Sequence, residues 1–304
     1  MKINIASNEV IHFIGIGGIG MSGLAQIMNN MRFTIQGSDL KQNKNTNRLI
    51  KKGIKVYFGH NQKNLSKATM VVISSAVKKS NKELLAAKSK KLPVFTRGEM
   101  LANIVALKKN IVVAGSHGKT TTTSLVANIL VEAGLDPTVI NGGVINSLKD
   151  NAQLGKGEWA VIESDESDGS FLKLPITYSI VTNLDKEHLD FYGGFENLKK
   201  SFCAFIEKTP SFGKSIICID DNNLKSLLAK CKTRNFLTYG FDKHSNYQII
   251  NLRKNRNFST FDLKLRFLSS KTIRINNIVV NLIGDHNVTN ATAAIAIALN
   301  LGIK

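Results

Sequence analysis

Twice in this chain a short, β-branched apolar run ends in a cluster of glycines and is followed by a stretch with helical patterning. No other feature restricts the fold as strongly. Residues 10–16 (VIHFIGI) run into Gly15-Ile16-Gly17-Gly18-Ile19-Gly20, and a helix is expected over residues 21–28. Residues 111–114 run into Gly115-Ser116-His117-Gly118-Lys119-Thr120, with a helix expected to Glu132, Gly134 as its C′ residue and Pro137 beyond. A buried strand that turns tightly into a helix is the building unit of a parallel α/β sheet. The rest of the chain repeats the alternation. Residues 33–36, 54–58 and 70–74 read as strands, and 82–90 as a helix. In a second register, 159–162, 178–182 and 215–219 read as strands. Residues 195–207 read as a helix with Phe202, Phe205 and Ile206 on one face. Residues 246–283 alternate as antiparallel β-structure does, and 287–299 form an alanine-rich helix.

The expected architecture is α/β: an N-terminal Rossmann-like parallel-sheet domain over residues 1–105, then a P-loop-type domain over 106–304 with some antiparallel β-structure. The boundary is placed within residues 101–109. Two domains suit 304 residues at about 150 per domain.

The glycine clusters carry chemistry as well as geometry. Gly15, Gly17 and Gly20 fit G-x-G-x-x-G between strand and helix, where backbone N–H groups and a helix N-terminus favour a diphosphate. Asp39 stands where a ribose-binding acid is expected, which by itself suggests a nicotinamide or flavin dinucleotide. The pattern marks a diphosphate more firmly than it selects the nucleotide, and a plain strand–helix turn also fits it. The second cluster resembles a phosphate-binding P-loop, with Val113 where the strict pattern has its first glycine. Lys119 can neutralise β/γ-phosphate oxygens, and the Thr120 hydroxyl can ligate Mg²⁺. Glu163 ends a strand and opens Glu163-Ser164-Asp165-Glu166-Ser167-Asp168, so it is expected to take the metal, whereas Asp165, Glu166 and Asp168 fit a solvated acidic loop equally well. His188 lies just past a strand's C-terminal end, where α/β sheets place ligands. Asn287 and Asn290 are one helical turn apart and can meet a base edge; a helix N-cap at Asp285 or Asn287 is the structural alternative.

The formal net charge of +19 suits polyanionic partners, but a lysine- and asparagine-rich composition that fills exposed positions with Lys accounts for it more readily. Residues 1–105 hold 17 Lys/Arg against 4 Asp/Glu. The basic runs at Lys78-Lys79, 88–91 and 253–256 are short and lack interleaved aromatics, so they read as solvated faces rather than a nucleic-acid surface. Cys203, Cys218 and Cys231 are widely spaced without a C-x-x-C pair, so neither a zinc nor a redox motif is expected, and three thiols suit a reducing, cytoplasmic setting. No apolar run reaches membrane-spanning length, and the N-terminus lacks the order of a signal peptide.

Taken together, four strings resemble the Mur ligase family: the Gly-Ser-His-Gly-Lys-Thr loop, Glu163 to Asp168, Thr182-Asn183…His188-Leu189-Asp190, and His286-Asn287…Asn290-Ala291. The opening His12 to Gly23, Ser116-His117 within the loop, and Arg97-Gly98-Glu99-Met100-Leu101 look like the branch that adds L-alanine. The resemblance implies an ATP- and Mg²⁺-dependent, amide-forming ligation of L-alanine to UDP-N-acetylmuramate in peptidoglycan precursor synthesis. It moves the first cluster from NAD to a UDP-sugar, held by Gly15, Gly17, Gly18, Ile19, Gly20, Asp39, Ser74, Ser75 and Ala76. It assigns Gly115, Ser116, His117, Gly118, Lys119, Thr120, Thr121, Asn287 and Asn290 to ATP. Thr120, Glu163 and His188 go to the metal, and Lys119, Glu163 and His188 to catalysis. A carbamylated lysine found in several relatives would fall near Phe202, with Lys199 and Lys200 out of register, which suits the alanine-adding branch. A third domain is expected beyond residue 304, and little ligation from these residues alone. A murein tripeptide ligase or another amide ligase of the fold is the alternative within the family, and an NAD-dependent dehydrogenase the alternative outside it.

Overall fold

The fold is that of a computed structural model, which describes residues 9–106, 108–145, 150–153, 155–266 and 272–303, with backbone alone for 142–145 and 150–153. It divides into two compact units: Met1–Ala106 with Ile140–Leu154, and Leu107–Val139 with Gly155–Lys304.

The first unit is built on β1 (Val10–Ile14), α1 (Ile19–Asn30), β2 (Thr34–Asp39), α2 (Lys44–Lys51), β3 (Lys55–Phe58), β4 (Met70–Ile73), α3 (Lys82–Ser89), β5 (Val94–Thr96) and α4 (Arg97–Val105). Its five strands are all parallel in the order β3-β2-β1-β4-β5. Helices cover both faces of such a sheet, so β1 is buried almost along its whole length, with Ile11, Phe13 and Ile14 fully enclosed. The order reverses between β1 and β4, and their carboxyl ends open a crevice there.

Two helices of the first unit escaped the sequence reading. α2 is Lys- and Asn-rich with little apolar signal, but Asn43 and Thr46 form a capping box that starts it. α4 occupies much of the segment read as a boundary, and Thr96 with Glu99 caps it in the same way.

The remaining elements are β6 (Lys109–Ala114), α5 (Lys119–Glu132), β7 (Thr138–Ile145), β8 (Asp150–Gln153), β9 (Trp159–Glu163), β10 (Tyr178–Val181), α6 (Leu189–Tyr192), α7 (Phe195–Glu207), β11 (Ser215–Cys218), α8 (Asn222–Lys230), β12 (Phe236–Gly240), β13 (Tyr247–Lys254), β14 (Ser259–Leu265), β15 (Ile273–Val280) and α9 (Asp285–Asn300); β8 and residues 140–145 of β7 fall in the first unit and the others in the second. Strands β9, β6, β10, β11, β12 and β13 are neighbours in parallel, and β14 and β15 extend the sheet antiparallel. The alternation over 246–283 is thus three strands, with 267–271 outside the described residues. α7 buries Phe202, Phe205 and Ile206 as its periodicity predicts, and Phe171 packs between the two rings at centroid distances of 5.3 and 5.2 Å. Gly134 has φ 72°, as expected of a C′ glycine. Gly284, not Asp285 or Asn287, is the N-cap of α9.

One reading is corrected. Sequence spacing separates all three cysteines, yet α7 and α8 lie side by side and bring Cys203 and Cys231 next to each other, their Cα atoms 5.6 Å apart.

Candidate functional site

In the first unit, the turn after β1 is shaped by Asp39 and α2. Gly17 N–H donates to Asp39 Oδ2 at 2.8 Å, and Gly17 O accepts from Asn45 Nδ2 at 2.9 Å. A Cβ on Gly17 would lie 2.6 Å from Asn43 Nδ2 and 2.8 Å from Asp39 Oδ2, so a methyl there would have to displace both side chains. Above the turn is a cavity of about 640 Å³. Of the residues expected to hold a UDP-sugar, Gly15, Gly17, Gly18, Asp39, Ser74 and Ala76 line it. Ile19, Gly20 and Ser75 do not: Ile19 and Ser75 are exposed, and Gly20 lies against Arg97. Asn43, His60, Lys78 and Asn81 also line the cavity and were missed. Asn43 and Asn81 carried a signal, since each is an Asn placed to cap the helix that follows a strand.

Beneath the cavity lies a buried polar network. Glu83 is 0% exposed and accepts from Ser38 Oγ at 2.5 Å and Asn64 Nδ2 at 2.6 Å, with His60 Nδ1 at 3.0 Å and His12 Nε2 at 3.5 Å. Gln36 Nε2 donates to Asn64 O at 2.8 Å and lies 3.2 Å from His12 Nδ1, which leaves the other His12 nitrogen to face Glu83. Burial by itself pushes the Glu83 carboxyl up; hydrogen bonds from His12, Ser38 and Asn64 outweigh it and hold the group at about 2.

In the second unit, the loop from β6 to α5 is fixed from several sides. Gly118 caps α5 at φ 80°, and a Cβ there would meet Asn290 Oδ1 at 2.8 Å. Asn290 Nδ2 in turn faces Asn287 Oδ1 at 3.4 Å, so the asparagine pair stands against the loop. Asn183 and Thr182 clasp the loop from β10: His117 N–H donates to Asn183 Oδ1 at 2.7 Å, and Thr182 Oγ1 donates to His117 O at 2.6 Å. The Asp185 N–H donates to Ser116 Oγ at 2.9 Å, and exposed His117 pairs with Asp185 at 3.1 Å. Thr121 sits in the first turn of α5.

Lys119 Nζ, 17% exposed, donates to Gly115 O at 2.5 Å and Ser116 O at 3.1 Å, and pairs with Glu166 Oε1 at 2.8 Å. Thr120 Oγ1 donates to Glu163 Oε1 at 3.0 Å, which joins the two residues expected to share a metal. His188, held at φ 55°, converges instead with Glu166 and Glu187, their ligand atoms all within 4.8 Å of one another. Glu166 is 3% exposed, and its Oε2 has no hydrogen-bond partner among the described residues. A buried carboxylate oxygen without a partner, beside a second carboxylate and an imidazole, fits a hard divalent cation. Sequence reasoning left Glu166 undecided and passed over Glu187. Both stand inside the strings it singled out, and only the fold shows which acids turn inward. Tyr192 donates to Glu166 O, and burial, then the nearby Glu166, Asp168 and Asp165 carboxylates, push its phenol well above its usual value, so it stays a donor.

Comparison with known proteins identifies the family. Residues 10–109 match the model described as Mur ligase family, catalytic domain, and residues 113–298 the Mur ligase middle domain. The chain is 57% identical over its full length to the UDP-N-acetylmuramate–L-alanine ligase of Pelagibacter ubique, and spans 66% of that relative. Among solved structures, the UDP-N-acetylmuramate:L-alanyl-γ-D-glutamyl-meso-diaminopimelate ligase of Neisseria meningitides superposes with a TM-score of 0.85 at 30% identity, covering 97% of this chain and 94% of that one. The UDP-N-acetylmuramate–alanine ligase of Thermotoga maritima does so with a TM-score of 0.81 at 29% identity, covering 96% of this chain and 65% of that one. With both units matched and the glycine loops in place, the chain belongs to the Mur ligase family.

Proposed function

We propose that this chain binds UDP-N-acetylmuramate over residues 1–105 and ATP over residues 106–304, and serves the ATP-dependent ligation of L-alanine to the lactyl carboxylate of the sugar nucleotide in the cytoplasm. The observation that carries the reading is the convergence on one loop of Lys119, Thr120, three glutamates and His188. In the reaction the substrate carboxylate attacks the γ-phosphate of ATP, releasing ADP and forming an acyl phosphate; the alanine amine then displaces phosphate from that carbonyl. The chain's part is positioning and charge neutralisation. Loop N–H groups cradle the phosphates. Lys119 leaves its carbonyl and Glu166 partners to neutralise the charge on the phosphoryl group in flight. Asn287 and Asn290 present amides to the adenine edge. Thr120 with Glu163 would hold one Mg²⁺ and His188 with Glu166 and Glu187 a second, and their charge would screen the repulsion between carboxylate and phosphate. In the first unit, Gly15, Gly17, Gly18, Asp39, Ser74 and Ala76 would receive the diphosphate and uridine.

The structural likeness to a tripeptide ligase favours a second member of the family as the alternative. The 57% identity to an L-alanine ligase, against 30% to the tripeptide enzyme, supports alanine. A thermal-shift panel tests the reading. UDP-N-acetylmuramate and Mg²⁺-ATP should each raise the melting midpoint by several degrees at ligand concentrations near 100 times Kd, and NAD should leave it unchanged. Stabilisation by NAD with no response to ATP would overturn the assignment. Gly17→Ala gives a local check. Its methyl displaces Asp39 and Asn43, so UDP-N-acetylmuramate affinity should fall at least about 10-fold by calorimetric titration while ATP affinity holds.

A further inference from the structure

Cys203 lies in the last turns of α7, and Cys231 is the C-cap of α8. They are 28 residues apart in sequence with Cα atoms 5.6 Å apart, a separation a disulfide spans without backbone movement. Their surroundings are unequal. Cys203 is partly exposed and Cys231 is buried. Glu207 Oε1 lies 3.5 Å from Cys203 Sγ and is fixed there by the Lys232 N–H at 2.6 Å. In the reduced pair the outer thiol donates to this carboxylate, which holds it in place. Cys218 differs: it is buried on β11, and burial above all pushes its thiol up to about 12, so it stays inert.

The two helices also share a task. At their opposite ends both hold the loop after β10. Asp221, the N-cap of α8, accepts from Leu184 N–H at 3.3 Å, and Asn223 Nδ2 donates to Leu184 O at 2.8 Å. From α7, Asn197 Nδ2 donates to Tyr192 O at 2.9 Å. Between those anchors lie Asp185, Glu187 and His188.

We propose that Cys203 and Cys231 are a redox-modification site: a reversible disulfide, formed by exchange with low-molecular-weight disulfides, that staples α7 to α8 behind the loop at residues 183–192. The partly exposed Cys203 thiol loses its proton to water, and the thiolate attacks one sulfur of the small disulfide and expels the other as a thiolate, which takes up a proton. The Cys231 thiolate then attacks Cys203 Sγ, expels the small-molecule thiol held there, and closes the ring. In sum, two protein thiols and one small disulfide become one protein disulfide and two small thiols. This inference does not depend on the ligase reading.

The test equilibrates the full chain in glutathione buffers of graded reduced-to-oxidised ratio, quenches in acid, alkylates in denaturant and measures intact mass. In oxidising buffer one thiol, Cys218, should be alkylated, and peptide mapping should join residues 203 and 231. In reducing buffer all three should be alkylated. Oxidation should raise the melting midpoint by roughly 5–10 °C, and dithiothreitol should remove the gain. Cys203→Ser and, separately, Cys231→Ala should abolish both the cross-link and the shift while keeping the reduced protein's midpoint. Three alkylated thiols at every ratio would overturn the proposal. So would glutathione retained on Cys203 without a cross-link, or zinc held by Cys203, Cys231 and Glu207 with both thiols reduced.

Discussion

Lys119→Ala should abolish measurable Mg²⁺-ATP binding, and in any assay of ATP-, alanine- and UDP-sugar-dependent phosphate release it should lower turnover on the order of 10²–10³-fold or more. The same change also disturbs the fold, and the two effects can be separated. Lys119 is the charged partner of Glu166, which is nearly fully buried. Removing one member of a buried pair leaves the other uncompensated, at a cost of about 3 kcal/mol. The second change Glu166→Gln removes that stranded charge. The double variant should therefore recover most of the lost stability in urea unfolding and still fail to bind ATP. If the double variant binds ATP as the wild type does, Lys119 has no phosphate role. If Lys119→Ala alone keeps full affinity and turnover, the nucleotide site lies elsewhere.

The pairing of Lys119 with Glu166 marks where sequence reading stops. Residues 111–120 announce a phosphate loop because strand, glycines, lysine and threonine are contiguous, and local backbone chemistry decides their arrangement. Their partners are not contiguous. Among the acids of residues 163–168, Glu163 turns to Thr120 and Glu166 to Lys119. That choice follows from where the chain leaves β9, which spacing alone does not encode. The parallel core was legible because strands buried on both faces read as nearly continuous apolar runs, as in VIHFI, broken only by His12, and in residues 111–114, IVVA. α2 was not, because its stability comes from a cap and a few contacts rather than an apolar stripe. The cysteine pair was invisible for the same reason as the Glu166 contact: adjacency of α7 and α8 is a property of the sheet order. His12 belongs to the glycine string by position, yet its neighbours in space are Gln36 and Glu83.

Glu83→Ala is expected to be the most destabilising single substitution in the first unit. The sequence presents Glu83 as an ordinary acid in the first turn of a lysine-rich helix. The fold encloses it completely and makes it the common acceptor for Ser38, Asn64, His60 and the Asn61 N–H. Truncation leaves these donors buried without an acceptor and opens a polar void, together costing about 3–5 kcal/mol. For a unit of this size the melting midpoint should drop on the order of 10–20 °C. The same group makes stability depend on pH in a defined direction. Its carboxyl sits at about 2 in the folded protein against 4.5 for an unperturbed glutamate, so its contribution is complete above pH 4.5. That contribution, about 3 kcal/mol, is lost as pH falls from 4.5 towards 2. Acid titration of unfolding free energy should show this slope in the wild type and a shallower one in Glu83→Ala; equal slopes would remove Glu83 as its source. The effect should also reach the ligand. His60 leans on Glu83 and lines the cavity at the carboxyl ends of β1 to β4. At a temperature where the variant is still folded, UDP-N-acetylmuramate affinity should fall while Mg²⁺-ATP affinity stays, because the network lies wholly within the first unit.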